Sequence, residues 1–315
     1  LLHTLSRESL IAFLSPKQFN QTTIKVFLKM PGLRSATLKN VTEAMNKLYP
    51  LKYADNTWDN TGLLVDASIH DTTTISTINI DEKANILLTI DLTEDVAQEA
   101  IEKECNIIIS YHPFLFRKFN KITPFNNSQH RTLLKLIQNQ ISVYSPHTAV
   151  DAAINGVNDW LLDGISNGSY IIKKEVIIPD KSNINGVGMG RIVEFDTPEP
   201  LLVIVQRVKT ALGIPFVQLA TKDKYKTVRR IAICAGSGSS VFSSITEPVD
   251  LYYTGELSHH EQLAFVESNK SVIICGHCNT ERGFLKGSML NALQSQLPNS
   301  IISVSTNDKS PFTTL

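Results

Sequence analysis

The chain of 315 residues is poor in several things at once. It has only 4 Cys, too few for a disulfide-stapled secreted scaffold, so a reducing compartment is expected. It has no net charge, with 30 Lys+Arg against 30 Asp+Glu. No global field therefore holds a polyanion, and nucleic acid is not indicated as a partner. No run of about 18 apolar residues occurs, so no membrane-spanning helix is expected. Low-complexity tracts and a Walker-type phosphate loop are missing too. What remains is an ordinary globular composition, 42 % hydrophobic and 19 % charged. The length suits about two domains with a sizeable core.

The first 30 residues differ from the rest. They hold four basic residues (Arg7, Lys17, Lys25, Lys29), one acidic residue (Glu8) and six Ser or Thr. That bias suits a mitochondrial targeting segment, set against a plain surface extension upstream of Met30. The expected organisation is an extension over residues 1–35, a first α/β half over 36–165 and a second over 166–315. The expected location is cytoplasmic, with a mitochondrial alternative.

From residue 35 onward apolar runs alternate with helical spacings. Residues 85–92, 105–111 and 141–145 read as buried strands, rich in Ile, Val and Leu. Thr93 is placed to cap a helix with Glu94 and Asp95 in its first turn. The second half repeats the alternation, with strands at 170–178, 191–195, 228–236, 250–255, 271–275 and 301–305. Helices are expected at 36–48, 130–137, 198–212, 258–267 and, as one long piece, 281–297. Strand–helix alternation of this kind predicts an α/β fold with parallel crossovers.

In such sheets ligands gather at the carboxyl ends of the strands. Five histidines follow strand-like runs: His112, His147, the pair His259 and His260, and His277. Asp91, Asp151 and Glu256 do the same. His277 and Glu281 are spaced i, i+4, which stacks them on one face of a helix start. Imidazole and carboxylate together suit Zn, Fe, Mn or Ni. Adding His112 and Asp151 gives a set able to hold one or two divalent ions per chain. A lone strand-end histidine is as often a hydrogen-bonded loop residue. The Cys275–Cys278 CxxC pair reads as incidental, because no second ligand pair stands at zinc spacing. Residues 235–240, AGSGSS, read either as an anion cradle or as a tight turn.

Six segments then carry a resemblance: TWDNTGLLV (57–65), IIISYHPFLF (107–116), PHTAVDAAINGVNDWL (146–161), AICAGSGSS (232–240), YYTGELSHHEQL (252–262) and GHCNTERGFL (276–285). In this order they resemble the NIF-three-like family, also called the YbgI-like or dinuclear-metal-centre proteins, and point to a fungal member. The resemblance implies two interlinked α/β halves with mixed sheets and a toroidal homohexamer. It implies metal ligands at His112, Asp151, His277 and Glu281, with His147 close by. It departs at Tyr111, where many bacterial members have a second His. A neutral phenol is a poor ligand for zinc, so one of the two ion positions is in question. Members of the family have been given hydrolase, GTP cyclohydrolase and metal-handling roles, and its founding member is described as the partner of a transcriptional regulator. The first expectation is a metal-dependent hydrolase of a small phosphorylated or nucleotide-like substrate, with His147 or His260 moving protons. The alternatives are a metal-handling protein and a regulatory interaction protein with a structural metal.

Overall fold

The helical spacing over residues 36–48 forms α1 (Ser35–Leu48), whose Leu38, Val41, Ala44 and Met45 are buried in the core. Three short apolar runs build the centre of the first sheet: β2 (Asn85–Thr89), β3 (Ile107–Ser110) and β4 (Ser142–Ser145). They run parallel, and nearly every side chain in them is buried. Parallel strands covered on both faces show this unbroken apolar pattern. The crossovers are α2 (Glu94–Glu102) and α3 (Ser128–Gln138). Thr93 caps α2 as expected, its side chain accepting from the Val96 N–H at 3.3 Å. An antiparallel β1 (Gly62–Val65) lies against β4 on one edge, and the last strand, β11 (Ile301–Val304), lies parallel to β2 on the other. The order is β1-β4-β3-β2-β11.

The computed structural model describes residues 32–69, 82–125, 127–166 and 168–312. The targeting expectation and residues 1–31 lie outside the described residues, as does His70.

The second sheet is mixed. Its strands are β5 (Ile171–Pro179), β6 (Gly188–Pro200), β7 (Gln218–Ala220), β8 (Thr227–Ser237), β9 (Leu251–Glu256) and β10 (Ser271–Ile274), in the order β5-β6-β8-β9-β10-β7. Only β8, β9 and β10 run parallel to one another. Residues from both sheets share one hydrophobic core, from Ile86, Leu88 and Ile109 through to Ile231, Tyr253 and Ile273. No helix of the described residues is long and apolar enough to cross a membrane.

Two helices without a sequence-based expectation lie between the sheets in the chain: α4 (Thr148–Ala152) and α5 (Val157–Ser166). Arg191 on β6 ties them down. It is fully buried, and all five of its N–H donors are used. Nε and Nη2 donate to Asp159 of α5 at 2.6 and 3.3 Å, Nη1 to the Gly188 and Gly190 carbonyls at 2.7 and 2.8 Å, and Nη2 also to the Ala153 carbonyl at 3.0 Å. A buried guanidinium is tolerated only when paired and saturated in this way. Farther along the chain come α6 (Leu201–Leu212), α7 (Ser239–Phe242) and α8 (His259–Glu267).

The helix expected over 281–297 is broken into α9 (Asn279–Phe284), a π-helical turn over Leu285–Met289 and α10 (Leu290–Gln296). The reason lies beside it. A Cβ at Gly283 would sit 2.6 Å from the Trp160 ring of α5, and one at Gly287 would sit 3.1 Å from its Nε1. The two glycines let the indole press against the backbone, which widens locally.

β11 returns the chain to the first sheet, and Glu99 of α2 receives residues 305–307 just beyond it. Glu99 is 4 % exposed. It accepts from Ser305 Oγ at 2.5 Å, Thr306 N at 2.9 Å, Thr306 Oγ1 at 2.9 Å and Asn307 N at 3.1 Å, and it pairs with Lys103 at 2.6 Å. Burial works against its charge, but Lys103, Ser305 and Thr306 outweigh it and hold its carboxyl down at about 2. A carboxyl depressed on folding stabilises above its unfolded pKa, and that contribution fades as pH falls toward the folded one. Glu99→Gln should therefore destabilise at pH 7 by on the order of 2 kcal/mol, the partly solvated Lys103 being discounted. The gap to wild type should close between about pH 5 and pH 2. Urea titrations at several pH values measure it, and a gap that stays constant would refute the account.

Candidate metal centre

The parallel strands of both sheets bring polar residues out at their carboxyl ends. Asp91 follows β2, His112 follows β3 and His147 follows β4. Gly236 lies at the end of β8, Glu256 ends β9, and His277 follows β10. The two sets meet, with the His112 and His277 rings 5.2 Å apart, and within the first set the His112 and His147 rings are 5.4 Å apart.

Each of these three imidazoles is held at Nδ1 by a carboxylate. His112 Nδ1 lies 2.9 Å from Asp91 Oδ1, His147 Nδ1 2.7 Å from Asp59 Oδ1, and His277 Nδ1 2.9 Å from Glu256 Oε1. A carboxylate on one ring nitrogen fixes the tautomer that leaves the other free to ligate. For His112 and His277 the other nitrogen faces Glu281. His112 Nε2 is 3.3 Å from Oε2 and His277 Nε2 is 3.5 Å from Oε1. Glu281 is 3 % exposed, in the first turn of α9. His112 Nε2 and Glu281 Oε2 are buried and make no hydrogen bond. Buried polar atoms left without a partner are costly, and a cation between them removes the cost. His112, His277 and Glu281 therefore form a donor group fit to hold a metal ion.

A second such group is Asp91, His112 and Cys278. It shares His112, whose Nδ1 is already engaged by Asp91. The Cys278 thiol donates to Asp91 Oδ2 at 3.3 Å, while Cys275 is packed in the core. The CxxC pair is thus no zinc knuckle: its two sulfurs belong to different environments.

Asp151, the fourth expected ligand, stands beside this group and outside both donor sets. Its Oδ1 accepts from the Tyr111 hydroxyl. Burial and the Glu281 charge raise its pKa to about 6, against the pull of His147, Tyr111 and His112. Tyr111 is buried, and burial together with the Asp151 and Glu281 charges keeps its phenol protonated. It serves as a donor to Asp151. His112 is shifted the other way: burial disfavours its charged form, but Asp91 and Glu281 overcome this and push it up to about 10.

His147 sits at φ +34°, a conformation that a residue with a side chain rarely takes. It begins α4, and the Asp59 carboxylate also accepts from Thr148 Oγ1 at 2.5 Å. Strain of this kind persists where neighbours over-determine it, and it concentrates at functional sites. Asp59, Asp91 and Glu256 drew no role from the sequence beyond loop and strand-end positions. For Asp91 and Glu256 the signal was the same one that marked the histidines, an acid just past an apolar run.

His260 is not brought into this cluster. It lies exposed on the first turn of α8, its ring against His259 at 5.4 Å. Ser258 makes a full capping box with Glu261 there, which commits that turn to helix initiation. The anion cradle is also corrected. In residues 235–240 the Ala235, Gly236 and Gly238 amides donate to Asn158 Oδ1, Thr280 Oγ1 and the Glu256 carbonyl. The loop's purpose is close approach instead: Gly236, at φ +59°, leaves room for the donor atoms.

A model of the Duf34/NIF3 (NGG1p interacting factor 3) family matches residues 36–311. The chain belongs to this family. It is 47 % identical over 273 residues to NGG1-interacting factor 3 of Saccharomyces cerevisiae, covering 84 % of this chain and 93 % of that one. It is 44 % identical over 290 residues to the NIF3 homolog of Schizosaccharomyces pombe, covering 89 % and 98 %. Among solved structures, a Bacillus cereus protein related to NIF3 superposes with a TM-score of 0.73 at 18 % identity, covering 88 % of this chain and 98 % of that one. At that identity the likeness concerns the NIF3 fold alone, two interlinked α/β halves with mixed sheets.

A methyl at Gly236 would lie 2.8 Å from Glu281 Oε1 and 2.9 Å from His277 Nε2. Gly236→Ala should lower metal affinity by about 10- to 100-fold, the scale of a disturbed ligand shell. The positive φ should cost about 1–2 kcal/mol of stability besides. Metal titration beside a melting curve separates the two, and undiminished affinity would refute the placement.

Proposed function

We propose that this NIF3-family chain is a divalent-metal-dependent hydrolase of a small phosphorylated substrate. The observation that carries the reading is the orphaned pair His112 Nε2 and Glu281 Oε2, buried between carboxylate-backed histidines. His112, His277 and Glu281 would hold the ion, with Asp151 within reach. When bound, a divalent ion supplies Lewis acidity: it acidifies water and polarises the bond to be cut. The chain's own residues supply the rest. Asp91 and Glu256 orient the two imidazoles by holding Nδ1, so that Nε2 is the nitrogen of each ring that faces Glu281 and would take the ion in place of a proton. His147, held through Nδ1 by Asp59, is the group placed to accept and return a proton. Tyr111 fixes one Asp151 oxygen by donating to it. Its occupation with Asp151 argues for one well-held ion, with a second position weaker.

A second reading has its own support. The Saccharomyces cerevisiae relative is named as an NGG1-interacting factor. Extended to this chain, that name suggests a transcription-regulator partner, with the metal in a structural role.

Elemental analysis and a phosphoester panel decide between them. Wild type should carry at least about one divalent ion per chain and turn over a substrate. His277→Ala should lose most of the metal and reduce kcat/KM at least about 100-fold, with folding retained. Metal without turnover, with partner binding intact in His277→Ala, would favour the interaction reading. No metal in wild type after reconstitution would end both.

A further inference from the structure

Beside the cluster lies a cleft of about 670 Å³, within the range of small-molecule sites. Trp58 and Phe116 form two of its walls, and Asp59, Asn60, Arg117 and Lys118 line it too. The two aromatic rings stand edge to face at 6.1 Å, and both are about half exposed, at 51 % and 50 %. Large rings left in water need a reason when they are also held in place. Trp58 is held. Its indole N–H donates to Asp55 Oδ2 at 2.9 Å, and Asp55 itself accepts from Thr57 N at 3.1 Å. On the other side Asn60 donates to the Leu115 carbonyl, which joins the two loops that carry the aromatic walls.

The charge of the cleft has one free sign. Both oxygens of Asp59 are committed, Oδ1 to His147 and Oδ2 to Thr148, and its side chain is almost wholly buried. Arg117 and Lys118 are exposed, and neither has an ion pair among the described residues. Two exposed aromatic rings next to two unpaired cations offer contacts for a ring and an anion in one molecule. The cleft also adjoins the cluster: the Trp58 ring is 5.7 Å from His147, edge to face.

We propose that this cleft binds a small aromatic phosphate, its ring against Trp58 and Phe116 and its phosphate on Arg117 and Lys118. The proposal names the substrate class of the hydrolase and rests on that reading only for its catalytic consequence. Stacking is tolerant of ring identity, so the cleft selects for a ring with an anion. Phosphate is met by the guanidinium fork and the ammonium together.

Binding is measured by calorimetry on chelator-treated protein, with adenosine 5′-monophosphate and 4-nitrophenyl phosphate as ligands. Adenosine, ribose 5-phosphate and inorganic phosphate serve as controls lacking the anion or the ring. At least one aromatic phosphate should bind about 10-fold more tightly than every control. Trp58→Ala and the double variant Arg117→Glu/Lys118→Glu should each weaken it about 10-fold or more. Both changes are at exposed side chains, and the metal content of the variants before chelator treatment should match wild type. If neither aromatic phosphate binds better than ribose 5-phosphate, or if the one that does binds Trp58→Ala equally well, the proposal is overturned. Failure of the metal reading shows separately, as protein that binds the aromatic phosphate yet takes up no ion when a divalent metal is added back.

Discussion

The arrangement turns on one imidazole. His112 stands between Asp91 at its Nδ1 and Glu281 at its Nε2, the first acid following β2 and the second carried by α9 beyond β10. Two negative groups drawn to one ring from opposite sheets create an electrostatic demand that positive charge must meet. Without it, two carboxylates stand close together away from water, and burial first, with the Glu281 charge adding to it, raises Asp151 to about 6. A proton on His112 answers part of the demand, and a divalent ion answers more of it. The charge demand of the centre and the convergence of the sheets are in this sense one property.

Convergence in turn depends on contacts remote from the centre. Arg191 joins β6 to the α4–α5 segment, so that Asp151 and Trp160 are set by the second sheet. Trp160 presses on Gly283 and Gly287, which locates α9 and hence Glu281. Glu99 fastens the segment after β11, and Asp308 farther along it pairs with Arg282 at 3.0 Å and accepts from Ile90 N at 2.8 Å. Asp308 therefore touches both the strand end that bears Asp91 and the helix that bears Glu281. The return of the last strand to the first sheet is part of how the two strand-end sets are kept in register.

Much of this was legible in the residues. Short apolar runs identified β2, β3, β8 and β10, because buried parallel strands are apolar on both faces, and the Leu-Tyr-Tyr run marked β9. The caps Thr93 and Ser258 start their helices where hydroxyl chemistry placed them. His277, in the turn just before α9, and Glu281, in its first turn, face each other across the four-residue spacing. The helices α4 and α5 were not legible: α4 is one short turn, and α5 is set by a buried Asp159–Arg191 pair whose partners are 32 residues apart. The break at the π-helical turn escaped for a similar reason, since helical periodicity records no ring on a neighbouring helix.

Local order here is written in short-range rules: apolar runs, caps, turn glycines and i, i+4 pairs act within a few residues, and a sequence displays them directly. Those rules determined most of the strands, several helix starts and the supply of acids and imidazoles at strand ends. Which of these residues share a site was decided only in three dimensions. Asp59 reaches His147 across 88 positions and Glu256 reaches His277 across 21, while His260, in an equally suggestive sequence position, faces water. Hydrogen bonds and charge coupling act over a few ångströms of space, whatever the distance along the chain.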